Sequence, residues 1–203
     1  MARVILPSAY WGDIEYVARL VQAGGDCVID LHEHYIKRSL RNRTEIMTAN
    51  GTMPLSVCLS HADRPRTPLC DVRIDYSKRW QHQHWVAICS AYRSSPYFDM
   101  VADVIARFYE REWRFLADYN TEILHALLAL CGIAPRFTLS EAYIEPQADD
   151  IDLRPKKRTT SFEAPRYFQL FSDRLPFAEN LSILDLLMCE GVATADVLGS
   201  CRL

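Results

Sequence analysis

The first apolar run, RVILPS at 3–8, is short, continuous and ended by Pro7, the pattern of a buried strand. The period then changes. In GDIEYVARLVQAGG the apolar residues Ile14, Val17, Ala18 and Val21 recur at helical spacing, with Asp13 near the start and Gly24 and Gly25 at the end. CVIDL at 27–31 is again a continuous apolar run, too short for a helix. Strand, helix, strand predicts a parallel βαβ unit. Ligands of such sheets sit beyond the carboxyl ends of the strands, so the following segment, HEHYIKRSLRNR, is well placed to form a site. TEIMTANGTMPLSVCLS sets Asn50 and Gly51 between two apolar runs, a hairpin signal because both residues tolerate positive φ. HADRPRTPLCD is a polar, proline-bearing loop, and VRIDY reads as a short edge strand.

From about Ser77 to Cys131 the period is helical. Trp85, Ile88 and Tyr92 stand at i, i+3, i+7. SSPYF interrupts the run, with Ser95 suited to a cap and Pro96 to a first helical position, so a second helix is expected over 96–110. A third, within WRFLADYNTEILHALLALCG, carries the stripe Leu116, Tyr119, Ile123, Leu127 and Leu130, and Gly132 closes it. Residues 145–166 hold few apolar side chains, three prolines and many charges, the composition of a long loop. NLSILDLLMCEG at 180–191 predicts a last helix, capped by Asn180 or Ser182 and ended by Gly191. The fold class is α/β: an N-terminal βαβ unit with a β-hairpin and a helical C-terminal half. The chain, 1–203, reads as one domain with a mobile loop at 145–166.

Composition narrows the function classes. With 203 residues one core can bury enough apolar surface to fold without staples. The net charge of −3 gives no global field for nucleic acid or an anionic membrane. Seven cysteines, an odd number without a CxxC pair, lie mostly in apolar runs, where a thiol behaves as a small hydrophobe. This favours a reducing cytoplasm over a disulfide framework. No window reaches the roughly 18 apolar residues of a membrane span.

Two stretches carry candidate chemistry. WQHQHW at 80–85 offers a His-x-His pair between tryptophans. On a strand His82 and His84 would share a face and could chelate. On a helix they point about 200° apart. The pattern after Trp85 is helical, so a metal clip is disfavoured, and Trp80 with His84, one turn apart, either pack into the core or face a ligand. DLHEHYIKRSLRNR at 30–43 is the densest cluster of reactive types. His32 and His34 could take part in a metal site with Asp30 or His84 as a third ligand. Lys37, Arg38, Arg41 and Arg43 place four cations within seven residues, and arginine's planar fork suits phosphate or carboxylate. An anion site is the preferred reading of this cluster. Asn120 falls on an apolar helix stripe, where a buried amide needs partners: an interhelical bond or a ligand. The basic tract RPKKR at 154–158 reads as a flexible arm that closes over a phosphate-bearing ligand or as a nucleic-acid contact, the latter disfavoured because the patch is isolated in an acidic chain.

The blocks LPSAYWG, IDLHEHYIKRSLRNR, ANG, WQHQHWVAICSAYRSSPYF, LADYN, YFQLF and NLSILDLLMCEG, in this order, resemble the WbqC-like family of bacterial proteins. The recurring motif positions are Tyr35, Lys37, Arg41, Asn42, Arg43, Trp80, His84, Trp85, Tyr92, Ser95, Pro96, Asn120, Gln169 and Asn180. The family takes its name from a protein of O-antigen gene clusters. The resemblance implies a bacterial cytoplasmic protein with a role in cell-surface polysaccharide (lipopolysaccharide, O-antigen) biosynthesis, and a glycine-transferase activity. It supplies no mechanism.

Taken together, these readings give an expected transferase that moves an acyl or aminoacyl group, such as glycyl, to a phosphorylated or nucleotide-linked amino sugar. His84 or His34 would take the proton from the attacking amine. Tyr35, Lys37, Arg41, Asn42, Arg43, Tyr92 and Asn120 would bind substrate, and Trp80 and Trp85 would stack on a base or sugar. No cofactor, resident metal or membrane partner is expected. The oligomeric state is left open. The alternatives are a non-enzymatic cytoplasmic protein that binds a phosphorylated ligand, and a metal-dependent hydrolase built on His32, His34 and Asp30.

Overall fold

The computed structural model describes residues 3–60, 66–156 and 161–203. The first apolar run forms β1 (Val4–Pro7), buried along its whole length. That is what a central parallel strand requires, since both its faces are covered. α1 (Ile14–Gln22) starts at Asp13, whose carboxylate accepts the Tyr16 N–H, and it buries Ile14, Val17, Ala18 and Leu20. β2 (Cys27–Asp30) pairs parallel with β1, Val4 opposite Cys27 and Pro7 opposite Asp30. The expected βαβ unit is formed, and with it the α/β class.

The hairpin follows as β3 (Arg43–Thr48) and β4 (Gly51–Ser56), antiparallel with Thr48 opposite Gly51. Ala49 and Asn50 make the two-residue turn. Of the expected pair only Gly51, at φ 104°, uses the left-handed region. β5 (Leu59–Ser60) pairs with β6 (Arg73–Ile74), the short strand read from VRIDY. Residues 61–65 of the proline-bearing loop lie outside the described residues.

Helices α2 (Trp80–Tyr92), α3 (Phe98–Glu110) and α4 (Leu116–Leu130) follow. α3 begins two residues later than the proline suggested. Tyr97 takes the cap position, and the Ser95 hydroxyl is buried without a hydrogen-bond partner among the described residues instead of capping. α4 ends as expected: Gly132, at φ 68°, lets its own N–H reach Ala129 O and the Ile133 N–H reach Leu128 O.

Two strands were not anticipated. β7 (Thr138–Leu139) pairs parallel with β2, and β8 (Ile151–Asp152) pairs parallel with β1. The stretch 145–166, expected to be loop throughout, therefore contributes an edge strand. α5 (Ile183–Glu190) is capped by Ser182, whose hydroxyl accepts the Leu184 N–H, and Gly191 ends it. It is not the last helix. α6 (Thr194–Ser200) packs on α1, and Gln22 Nε2 donates to Leu198 O and Cys201 O there. The sheet order is β7-β2-β1-β8, all parallel. One core joins the sheet, α1, the α4 stripe and α5. Among the described residues no helix is long and apolar enough to cross a membrane.

Candidate functional site

The strand order reverses at β1. The chain leaves β1 through α1 toward β2 and β7 on one side, and β8 lies on the other side. The connections leaving the carboxyl ends of β1 and β8 therefore diverge, and such a divergence opens a crevice that an α/β sheet uses for ligands. A cavity of about 660 Å³ lies at this point. Pro7 ends β1 there, and Leu153 to Lys156 leave β8 there. The segment from Arg38 to Glu45, the start of α1 and the approach to α5 complete the lining.

One wall is basic. Arg41, 1% exposed, donates from Nε to Glu33 Oε1 at 2.9 Å and from Nη2 to Glu33 Oε2. The same Nη2 donates to Arg154 O at 2.9 Å, which fastens the basic segment to the chain leaving β8. Asn120 Nδ2 donates to Arg41 O at 2.8 Å and to Ser8 Oγ at 3.0 Å, so α4 fixes this segment against the end of β1. Arg154 is itself buried and donates to Asp30 Oδ2 and to both oxygens of Asp152. Asp30 also accepts from the Ser140 hydroxyl and from the His32 and Glu33 N–H groups. Burial pushes the Glu33 carboxyl up to about 7, with Arg41 acting in the opposite direction. Arg41 and Arg154 are thus built into the wall. Among the described residues the exposed or half-exposed cations on the lining are Arg38, Arg43 and Lys156, of which Arg43 donates from Nη2 to Glu45 Oε1 at 2.9 Å.

The remainder of the lining is acidic and polar. Asp13 and Glu15 come from the first turn of α1, and Asn180 and Ser182 from the approach to α5. The Glu15 N–H donates to Asn180 Oδ1 at 2.9 Å, and Glu15 Oε1 accepts from Arg19 Nε at 3.0 Å. The start of β3 bridges the two walls. The Ser182 N–H donates to Glu45 O, and the hydroxyls of Thr44 and Ser182 both donate to Trp11 O. Trp11 at φ 42° and Arg38 at φ 55° hold left-handed conformations that bulky residues avoid. Such strain persists where the surroundings over-determine the backbone and concentrates at functional sites. Here one strained residue lines the cavity and the other orients two lining residues.

Of the expected site residues, Arg41 and Arg43 lie on this lining. Lys37 is exposed on the same segment but outside it. Tyr35 donates its hydroxyl to Asn42 Oδ1, Asn42 Nδ2 donates to Val57 O, and burial pushes the Tyr35 phenol up to about 12. Tyr92 is fully buried. Its hydroxyl donates to Asp185 Oδ1 and accepts the Met47 N–H. Asn120, expected to bond between helices or to a ligand, instead ties α4 to Ser8 and Arg41.

WQHQHW opens α2, as its pattern predicted, and His82 and His84 point apart: His82 is exposed and His84 is 6% exposed. The expected common cavity for Trp80, His84 and the basic segment does not form. Trp80 is buried with its Nε1 donating to Asp75 O. His84 Nδ1 lies 2.9 Å from the Tyr10 hydroxyl, which pairs with Tyr109, and Trp11 Nε1 donates to Tyr109. Burial holds the His84 imidazole down at about 4, opposed in part by a bond to the Ser56 backbone. Trp85 stacks on Phe98 and Tyr109 and lines a separate cavity of about 310 Å³. His34 is exposed beside Pro68, and His32 Nδ1 faces the Ser140 hydroxyl at 3.3 Å. Among the described residues no group of three or more His, Cys, Asp or Glu is arranged to hold a metal ion. Lys157 and Arg158 of the basic tract lie outside the described residues.

Sequence reasoning overlooked Asp13, Glu15, Thr44, Glu45 and Ser182. The strand-end rule, applied to β1 as well as to β2, would have pointed to Asp13. The others come together only through tertiary packing.

The fold and the crevice define an α/β protein with a polar cavity, lined in part by cationic side chains, at its topological switch point. Residues 9–157 match the WbqC-like protein family, and the chain belongs to that family. The match takes in both basic stretches of the cavity and Asp13 and Glu15, while Asn180 and Ser182 lie beyond it. No curated protein and no solved structure matches the chain.

Proposed function

We propose that the chain is a transferase of bacterial cell-surface polysaccharide biosynthesis, one that moves an acyl or aminoacyl group onto a phosphorylated or nucleotide-linked amino sugar. The observation that carries the reading is the cavity at the switch point, with Arg38, Arg43 and Lys156 on one wall. Family membership supports the polysaccharide context. In this reading the three cations bind the phosphate through charge-assisted hydrogen bonds. Arg41 and Arg154 hold them in place. The sugar nitrogen attacks the donor's carbonyl carbon, a C–N bond forms, and the bond to the donor's leaving group breaks with its electron pair. The ammonium proton passes to a carboxylate of the lining, where Asp13, Glu15 and Glu45 stand.

A second reading, a binding protein without turnover, is favoured by one observation: neither His34 nor His84 lines the cavity. Thermal shift and calorimetry with sugar phosphates and nucleotide sugars test the binding common to both readings. Mass-spectrometric search for an acylated sugar, with aminoacyl and acyl donors supplied, separates them. Binding without any product would leave the second reading, and the absence of any anionic ligand would remove both.

A further inference from the structure

We infer, resting on that reading of the cavity, that its ligand is a sugar monophosphate without a nucleobase. Two features of the lining support this. First, among the described residues the cavity has no stacking platform: its lining holds no aromatic side chain. Bases are bound to a large extent by stacking on aromatic faces. The aromatic residues rich enough for that task, Trp80 and Trp85, are buried in the core or turned to another cavity.

Second, the charge is divided. Arg38, Arg43 and Lys156 stand on the wall formed by the basic segment and the chain leaving β8, which Arg41 joins through Arg154 O, and the Glu45 carboxylate on that side is taken up by its ion pair to Arg43. Asp13, Asn180 and Ser182 stand on the wall formed by α1 and the approach to α5, joined by the Glu15 N–H bond to Asn180 and by the pairing of Asp13 with Ser182. Carboxylates, amides and hydroxyls suit the hydroxyl and amino groups of a sugar, which donate to and accept from them. The Asp13 carboxylate repels a second phosphate, because like charges brought together in a partly desolvated site are penalised. A single phosphate on the basic wall with a sugar ring against the polar wall satisfies both sides. A nucleoside diphosphate satisfies one.

Calorimetry on the full chain at pH 7.5 tests this, with glucose, galactose, mannose and glucosamine monophosphates, UDP-glucose, UDP and inorganic phosphate as probes. At least one sugar monophosphate should bind about tenfold or more tighter than both UDP and inorganic phosphate. Arg43→Ala should weaken every anion. Asn180→Ser, which removes the amide donor and adds no charge, should weaken the sugar monophosphate about tenfold and leave inorganic phosphate nearly unchanged. Thermal unfolding of each variant checks that the fold is kept, and Lys156→Ala, at an exposed position, replaces Arg43→Ala should that variant unfold. UDP or UDP-glucose binding as tightly as the best sugar monophosphate would overturn the inference and leave the anion cavity standing. Sugar monophosphates no tighter than inorganic phosphate would also overturn it. No binding of any probe would overturn the cavity reading itself.

Discussion

His84 should act as a neutral core histidine, and its removal should change how stability depends on pH. The hydrogen bonds fix its state. Trp11 Nε1 can only donate, so Tyr109 accepts from it, and the arrangement that uses every hydrogen has Tyr109 giving its own proton to Tyr10. Tyr10 then donates to His84 Nδ1, and Nε2 carries the ring proton toward the Ser56 backbone. Every member of the chain is satisfied when the ring is neutral. A proton on Nδ1 would face the Tyr10 hydroxyl and strand that hydroxyl's own hydrogen. This adds to the burial that lowers the group from its ordinary 6.5 to about 4. Between those values the unfolded chain binds a proton that the folded chain refuses. Stability is therefore fully present above pH 6.5 and is lost as pH falls toward 4. A lowering of about 2.5 units at 1.36 kcal/mol each gives a total near 3 kcal/mol, of which about 2 kcal/mol is lost by pH 5.

Urea unfolding at pH 7.5 and pH 5.0, for the native chain and for His84→Gln, isolates this contribution, because all other titrating groups are common to both. The variant should be less stable at pH 7.5, and the gap should shrink by about 2 kcal/mol at pH 5.0. Binding of a sugar phosphate at pH 7.5 should survive in the variant, since His84 is absent from the cavity lining. Parallel behaviour of the two chains at both pH values would refute the argument. Loss of binding with an intact fold would return His84 to the site.

Arg41→Ala leaves Glu33 buried without its counter-charge and should cost about 3–5 kcal/mol, a fall of roughly 10 °C in the midpoint of thermal unfolding. Glu33 is already held above its ordinary value, so it contributes stability below pH 4.5 that is lost as pH rises through about 7. Without Arg41 that loss grows, so the variant should lie closer to the native chain at pH 5 than at pH 8. The paired replacement Arg41→Met with Glu33→Leu should recover much of the stability, which thermal melts of the single and double variants will show. Gly191→Ala should destabilise by at least about 1–3 kcal/mol, because φ is 56° and the added Cβ would collide with the Tyr97 ring; a melting curve unchanged from the native one would contradict that conformation.

The parts of the fold that were legible are those whose period runs long enough to be read. β1, α1, β2 and the hairpin each present a run or a repeat of four or more residues. β7 and β8 present two residues each, and their place in the sheet depends on partners far along the chain: Arg154 with Asp30, and Ser140 with the same carboxylate. In α2 the helix itself was legible, and so was the separation of His82 from His84. What could not be read was where the inner face points. Trp80, His84 and Ile88 stand at i, i+4, i+8 and are all buried. A polar residue flanked by apolar ones on such a stripe signals a partner inside the core, which Tyr10 supplies. The same spacing would serve a residue facing a ligand, so the pattern alone cannot choose.

The basic cluster shows why charge counting locates a site without assigning it. Arg41 and Arg43 are two residues apart, yet one is sealed in a bidentate pair and the other faces the cavity. The difference comes from Glu33, eight residues earlier, and from the backbone of Arg154, 113 residues later. Guanidinium groups suit this work because one planar fork can satisfy a carboxylate and a carbonyl together. Once Arg41 and Arg154 have closed the wall, they add little net charge to the cavity, because each is matched by a buried carboxylate. The field that an anion meets there is then set mainly by the exposed cations Arg38 and Lys156, with Arg43 partly offset by its ion pair to Glu45, and these come from two stretches of chain brought together only when β8 pairs with β1. Changes that loosen β8 should therefore weaken anion binding, even where they leave all three of those cations in the sequence.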